Sequence, residues 1–306
     1  MRNSFASTFY ELGKKDSRLV LVVADISPAG SITQFREEFP ERFINTGVSE
    51  QSMIGIAAGM ALRGMRPFAY TIATFALYRP FEFIRDDLAY QGLPVTVVGV
   101  GGGVAYSTLG GTHHAMEDVA IASAIPGMQV LVPCDPLETQ LITQWCATTN
   151  EKPTYLRLGK AGEPDLTKNA IDPFIPGKVR RICEGKDVCI VAYGPIVKLA
   201  LDLASSLKTR DDVSSTVVSC HSIKPLDVEG IENLLANHKK MIILEEHVPH
   251  GGLSSRIKEI AWDNRTECDL ECYTLQDEFI HVYGNHHELL KAHGLDLETI
   301  YQKIVA

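Results

Sequence analysis

Arg42-Phe43-Ile44-Asn45-Thr46-Gly47-Val48-Ser49-Glu50-Gln51 leads almost directly into a run of small and apolar residues, Ile54-Gly55-Ile56-Ala57-Ala58-Gly59-Met60-Ala61. The run reads as a helix, and its start carries Glu50 into an apolar setting. A carboxylic acid held among apolar neighbours keeps its proton to higher pH and can donate it to, or share it with, a ring nitrogen of a bound ligand. The helix dipole alone also favours an acid in a first turn. Glu50 therefore reads either as a functional acid or as a helix-start residue until its surroundings are counted.

Outward from this stretch, short β-branched runs at 19–24, 66–72, 95–100 and 128–132 alternate with segments of helical spacing. Such alternation implies parallel strands joined by crossover helices. Glycine and proline at Pro28-Ala29-Gly30, in Gly99 to Gly103 and at Pro126-Gly127 place loops at the strand ends, where open α/β sheets bind ligands. Between about 159 and 178 the chain turns polar and turn-rich. Beyond it, strands at 188–192, 215–219 and 241–244 alternate with helices at 196–207 and 228–235. The expected fold class is α/β, two doubly wound domains over 1–165 and 181–306 with a linker at 166–180.

Composition narrows the function classes. A chain of 306 residues, 45% hydrophobic and 22% charged, has the balance of a globular protein of about two domains. Its net charge of −9 disfavours non-specific binding to nucleic acid or anionic membrane, which calls for a basic face. Seven scattered cysteines without paired Cys-x-x-Cys spacing indicate neither a disulfide framework nor a zinc site, so a reducing cytoplasm fits best. No apolar run approaches the roughly 18 residues of a membrane span.

Thr46-Gly47-Val48-Ser49-Glu50-Gln51 resembles the Thr/Pro-Gly-x-Ser/Ala-Glu-Gln context of an acid in the pyrimidine-binding domain of the transketolase family. The resemblance implies that Glu50 activates thiamine diphosphate through a ring nitrogen of its aminopyrimidine. Thr71 to Phe81 continues the likeness, with Phe75 matching a phenylalanine that stacks on the pyrimidine; the spacing after Phe75 differs from that of classical transketolases, so Tyr78, a further cofactor candidate, and Phe81 each read more readily as core residues. Gly110-Gly111-Thr112-His113-His114-Ala115-Met116-Glu117-Asp118 resembles the family's Asp-Gly-x-Thr/Ser-His-Gln-x-x-Glu-Asp segment. It implies that His113 faces the reacting carbons and exchanges protons there. His114, at a usual glutamine, reads as exposed or helix-capping. Asp25, in Ala24-Asp25-Ile26-Ser27-Pro28-Ala29, resembles a residue that approaches the thiamine, and otherwise is a strand-end turn residue. Tyr155-Leu156-Arg157-Leu158-Gly159-Lys160 resembles a strand end whose arginine grips a substrate phosphate or carboxylate, which makes Arg157 the anion-binding candidate. Glu245-Glu246-His247-Val248-Pro249-His250-Gly251-Gly252 reads as loop packing at the cleft rim rather than a metal site.

Departures from the pattern bear on substrate. The acids that precede the Thr-His pair in sugar-cleaving transketolases become Thr108 and Leu109, an upstream histidine becomes Gly101, and a phosphate-contacting serine becomes Ala29. A pocket that lacks those hydrogen-bonding groups is a poor fit for an ordinary xylulose phosphate donor. No Gly-Asp-Gly segment, which in the superfamily holds the diphosphate through a divalent metal, occurs in the chain. The resemblance thus implies the C-terminal subunit of a split enzyme that transfers a two-carbon ketol unit between anionic, sugar-like substrates. It would pair, in a heterotetramer, with an N-terminal subunit carrying the diphosphate and Mg²⁺ site, through an apolar surface around residues 54–62. Within the superfamily the alternatives are the β subunit of a 2-oxoacid dehydrogenase and a deoxyxylulose-phosphate-synthase-like condensing enzyme, the latter suggested by the short spacing from Phe75 to Arg79. A regulatory or scaffolding subunit that retains the fold is the alternative outside catalysis.

Overall fold

The computed structural model describes residues 1–26 and 30–305; the expectations at Pro28 and Ala29 lie outside them. The first sheet contains β1 (Leu19–Val23), β2 (Phe43–Asn45), β3 (Arg66–Ile72), β4 (Thr96–Val100), β5 (Gln129–Leu131), β6 (Thr154–Leu158) and, from the far half of the chain, β10 (Ser222–Lys224). Their order is β10-β5-β6-β4-β3-β1-β2, parallel throughout except that β10 runs antiparallel to β5. Strands β1 and β4 are buried along their whole length, as strands covered on both faces must be.

Helices cover both faces. On one side α1 (Arg2–Gly13), α2 (Ile32–Glu38) and α7 (Pro136–Thr148) bury Phe5, Phe9, Phe35 and Ile142 against Phe68 and Tyr70 of β3. On the other, α3 (Glu50–Leu62), α4 (Ala73–Leu77), α5 (Phe81–Phe83), a π-helix (Ile84–Tyr90) and α6 (Asp118–Ala124) pack Met53, Ile54, Leu77, Leu88 and Val119 onto the sheet.

The second sheet, β12-β11-β8-β9-β7, contains β7 (Arg180–Cys183), β8 (Val188–Ala192), β9 (Ser215–Ser219), β11 (Lys240–Leu244) and β12 (Asp269–Tyr273), with β7 antiparallel at its edge. It is flanked by α8 (Val197–Asp211), α9 (Val228–Asn237), α10 (Leu253–Asp263), α11 (His286–Ala292) and α12 (Leu297–Val305). The core around α3 continues into this half through Val191, Val218, Ile231 and Ile257. The stretch between the sheets is pinned rather than loose: Asp135 Oδ2 accepts hydrogen bonds from the backbone of Leu166 and Thr167 and from the Thr167 hydroxyl, at 2.7–2.9 Å.

All seven cysteines are unpaired. Among the described residues no helix is long and apolar enough to cross a membrane.

Candidate active site

The carboxyl ends of the first sheet's parallel strands converge on one region, the ligand-binding edge of open α/β sheets. After β2, the Asn45 side chain accepts the backbone N–H groups of Gly47 (3.0 Å) and Asp25 (3.1 Å), and so ties the ends of β1 and β2 together. Asp25 itself stands exposed with φ +47°, which is the geometry of a strand-end turn. The turn at Gly47 then starts α3, whose first residue, Glu50, is only 3% exposed. Its setting is not wholly apolar, because Arg79 Nη1 donates to Glu50 Oε1 at 2.9 Å.

After β3, α4 carries Phe75 and the turn beyond it carries Arg79, whose guanidinium lies 4.2 Å above the Phe75 ring centre. The His113 ring meets Phe75 edge-on at 5.1 Å between centres. Glu50, Phe75 and His113, chosen from separate motifs, are thus brought together, with Arg79 at their centre. Sequence reasoning passed over Arg79 as part of the site, although the four-residue spacing from Phe75 was its available signal.

His113 is half-buried, and its Nδ1 lies 2.9 Å from the Thr112 hydroxyl. Burial first, and the Arg79 charge second, push its pKa below the ordinary histidine value, so the ring favours its neutral form. His114, read as exposed or capping, is instead buried at 4% exposure, with neither ring nitrogen hydrogen-bonded. The Tyr78 hydroxyl and the Thr74 hydroxyl are likewise buried without partners. Buried polar groups without a partner are unusual in a finished interior. The Tyr78 ring packs, with Phe81, against the core around α3.

Arg157, the residue expected to grip an anion, is engaged by groups within the chain. On β6, Tyr155 and Arg157 point to the same face, and both donate at 2.8 Å to Oδ2 of Asp118, which is fully buried. Arg157 is 3% exposed and also donates through Nη2 to the carbonyls of Ala115 (3.2 Å) and Glu246 (3.0 Å). A guanidinium so enclosed and so fully engaged ties the two halves of the chain together. The glycine run before it makes the room, since a Cβ at Gly102 would collide with the Arg157 side chain and one at Gly103 with that of Glu246. Lys160, next along the motif, is exposed, with its ammonium 5.0 Å from the centre of the Tyr106 ring.

The Glu245-Glu246-His247 segment is buried. Glu246 Oε1 accepts from Val104 N at 2.7 Å and faces His286 Nε2 at 2.9 Å. Burial works against the charged form of Glu246, but His286, Arg157 and the Val104 N–H outweigh it and hold its pKa below the ordinary value. The negative charge of Glu246 in turn raises the pKa of His286 against its partial burial. Glu245 accepts from the backbone N–H groups of Leu253 (2.9 Å) and Ser254 (3.0 Å) at the start of α10, and His247 Nε2 accepts from Ala120 N at 3.2 Å. These groups are packed as the loop-packing reading expects.

Residues 1–162 match the family profile described as transketolase, pyrimidine binding domain, and residues 177–300 that described as transketolase, C-terminal domain. An apulose-4-phosphate transketolase subunit of Phocaeicola vulgatus is 35% identical over 98% of this chain and 94% of its own length. A putative transketolase C-terminal section of Methanocaldococcus jannaschii is also 35% identical, over 100% of this chain and 95% of its own. Among solved structures, a split gene transketolase described as an inactive beta4 tetramer superimposes with a TM-score of 0.87 at 33% identity, covering 99% of this chain and 96% of that one.

Proposed function

The chain belongs to the transketolase family, spanning its pyrimidine-binding and C-terminal domains, and from that premise we propose that it is the C-terminal subunit of a split, thiamine-diphosphate-dependent transketolase that passes a two-carbon ketol unit between anionic sugar-like substrates. The observation that carries this reading is the arrangement of Glu50, Arg79 and Phe75. A buried carboxylate stands beside an aromatic face with a flat, N–H-bearing group bonded to the one and stacked on the other. A site that seats a guanidinium in this way suits an aminopyrimidine, which has the same flatness and the same nitrogen edge.

Thiamine diphosphate supplies, when bound, a nucleophilic carbon able to accept and pass on the two-carbon unit. The residues of this chain then divide the remaining work. Glu50 holds the proton at the pyrimidine ring nitrogen; its burial keeps water from competing for that proton. Phe75 carries the ring on its face, and Tyr78 and Asp25 border the seat from the turns that follow α4 and β1. His113, favouring its neutral form, accepts or returns a proton at a substrate hydroxyl or carbonyl oxygen, with Thr112 fixing the ring through Nδ1. Lys160 takes the anion-binding part expected of Arg157, because it is the exposed cation at that strand end.

The partner is an N-terminal subunit that carries the diphosphate and Mg²⁺ contacts. The apolar residues Val48, Ile56 and Leu62, 71%, 39% and 62% exposed, flank Glu50 along α3 and form the surface proposed for its docking. Pairs of such subunits give the heterotetramer, in the cytoplasm. Titration of thiamine diphosphate with Mg²⁺ into this chain alone, and into the chain co-expressed with its N-terminal partner, tests the proposal. Tight binding in the complex only is expected, whereas binding by neither favours the scaffolding alternative.

A further inference from the structure

Arg79 makes the two contacts that a cofactor ring must make to be activated. Its Nη1 donates to Glu50 Oε1 at 2.9 Å, and its guanidinium covers the Phe75 face at 4.2 Å, while His113 takes the edge of the same ring. A second flat group cannot bond Glu50 along that direction and lie on that face until Arg79 leaves. The two ends of this contact differ in freedom. The Glu50 side chain is 4% exposed, whereas that of Arg79 is 45% exposed and has an open path to solvent.

We propose that Arg79 is a placeholder for the cofactor's aminopyrimidine, occupying its seat between Glu50 and Phe75 in the cofactor-free subunit and swinging outward when the ring arrives. The inference rests on the reading of Glu50 and Phe75 given above and adds a residue to it. The physical need is plain, because a carboxylate buried at the start of α3 with no charged partner is costly, and the free subunit must keep it ready. A planar cation supplies both the charge and the shape. Being partly solvated, its ion pair and its stacking contact are of the modest kind, so an incoming ring can displace them.

A placeholder lowers apparent affinity by the fraction of time the seat is closed, so emptying the seat raises affinity. Calorimetric titration of thiamine diphosphate with Mg²⁺ into the two-subunit complex is expected to show Arg79→Ala binding about tenfold tighter than the parent, with faster association in stopped flow. Arg79→Gln, which keeps a neutral donor for Glu50 but cannot stack as a cation, is expected to fall between the two and serves if the alanine variant does not fold. Unchanged or weaker binding in whichever of these variants folds overturns the placeholder role. Glu50→Gln turnover in the same complex separates the two failures. If it abolishes turnover while the Arg79 variants bind no tighter, the placeholder alone falls; if it leaves turnover intact, the Glu50 reading falls and the placeholder with it.

Discussion

Arg157 Nε and Asp118 Oδ2 meet at 2.8 Å in a site where neither side chain has appreciable access to solvent. Their pairing joins β6 to the start of α6, and the Nη2 bond to the Glu246 carbonyl carries the tie into the second half of the chain. Removing one member of a buried pair leaves the other charge uncompensated, at a cost of about 3–5 kcal/mol. Arg157→Met is therefore expected to lower the free energy of unfolding, read from the urea transition, by an amount in that range. A stable Arg157→Met subunit with a raised KM would instead restore the anion-binding role.

Lys160 is expected to behave in the opposite way. It is exposed, so Lys160→Ala leaves the unfolding midpoint near that of the parent. The loss of one charge-assisted bond to a substrate anion, about 1.5–3 kcal/mol, raises KM for a phosphorylated substrate by roughly 10- to 100-fold. Steady-state kinetics of the complex, set beside thermal unfolding, distinguishes the two residues.

Gly102 lies against the Arg157 side chain, with the guanidinium carbon only 2.5 Å from where a Cβ would stand. Because Arg157 is clamped by Asp118 and two carbonyls, it cannot move aside cheaply. Gly102→Ala is expected to destabilise the chain by about 1–3 kcal/mol, and equilibrium unfolding in urea measures it.

The His286–Glu246 contact gives stability a pH dependence of predictable sign. The folded-state pKa of His286 is raised above its ordinary 6.5, so its contribution is full below about that pH and is lost as pH rises through the higher folded value. Glu246 is held below its ordinary 4.5, so its contribution is full above about that pH and is lost as pH falls through the lower folded value. The tie is thus strongest between the two ordinary values and weakens on the alkaline side as His286 loses its proton. Urea midpoints measured from neutral to alkaline pH are expected to fall more steeply in the parent than in His286→Gln. Equal slopes contradict the assignment.

Much of the fold was legible because buried parallel strands are written as uninterrupted apolar runs. The bounds expected for 66–72, 188–192 and 215–219 are those of β3, β8 and β9. Strands β2, β7, β10 and β12 were not read, since short edge strands carry little pattern. That β10 crosses to the first sheet depends on tertiary pairing, which no local run encodes.

Within the candidate site, Glu50, Phe75 and His113, taken from three separate motifs, lie together around Arg79. They could not tell which way Arg157 points. A strand alternates its faces, and only the position of Asp118 shows that the Tyr155–Arg157 face is turned inward. Burial of His114 likewise follows from the packing of its loop and from nothing in the His-His pair itself.

Glu50 stands at the centre of the functional account, and turnover of the two-subunit complex carrying Glu50→Gln tests it most directly. The substitution keeps the shape of the side chain but removes the proton it shares with the cofactor ring. The expected result is an intact complex that still binds thiamine diphosphate and loses about 10²- to 10⁴-fold in kcat, the usual contribution of a positioned acid or base. Full turnover by the variant would contradict the account.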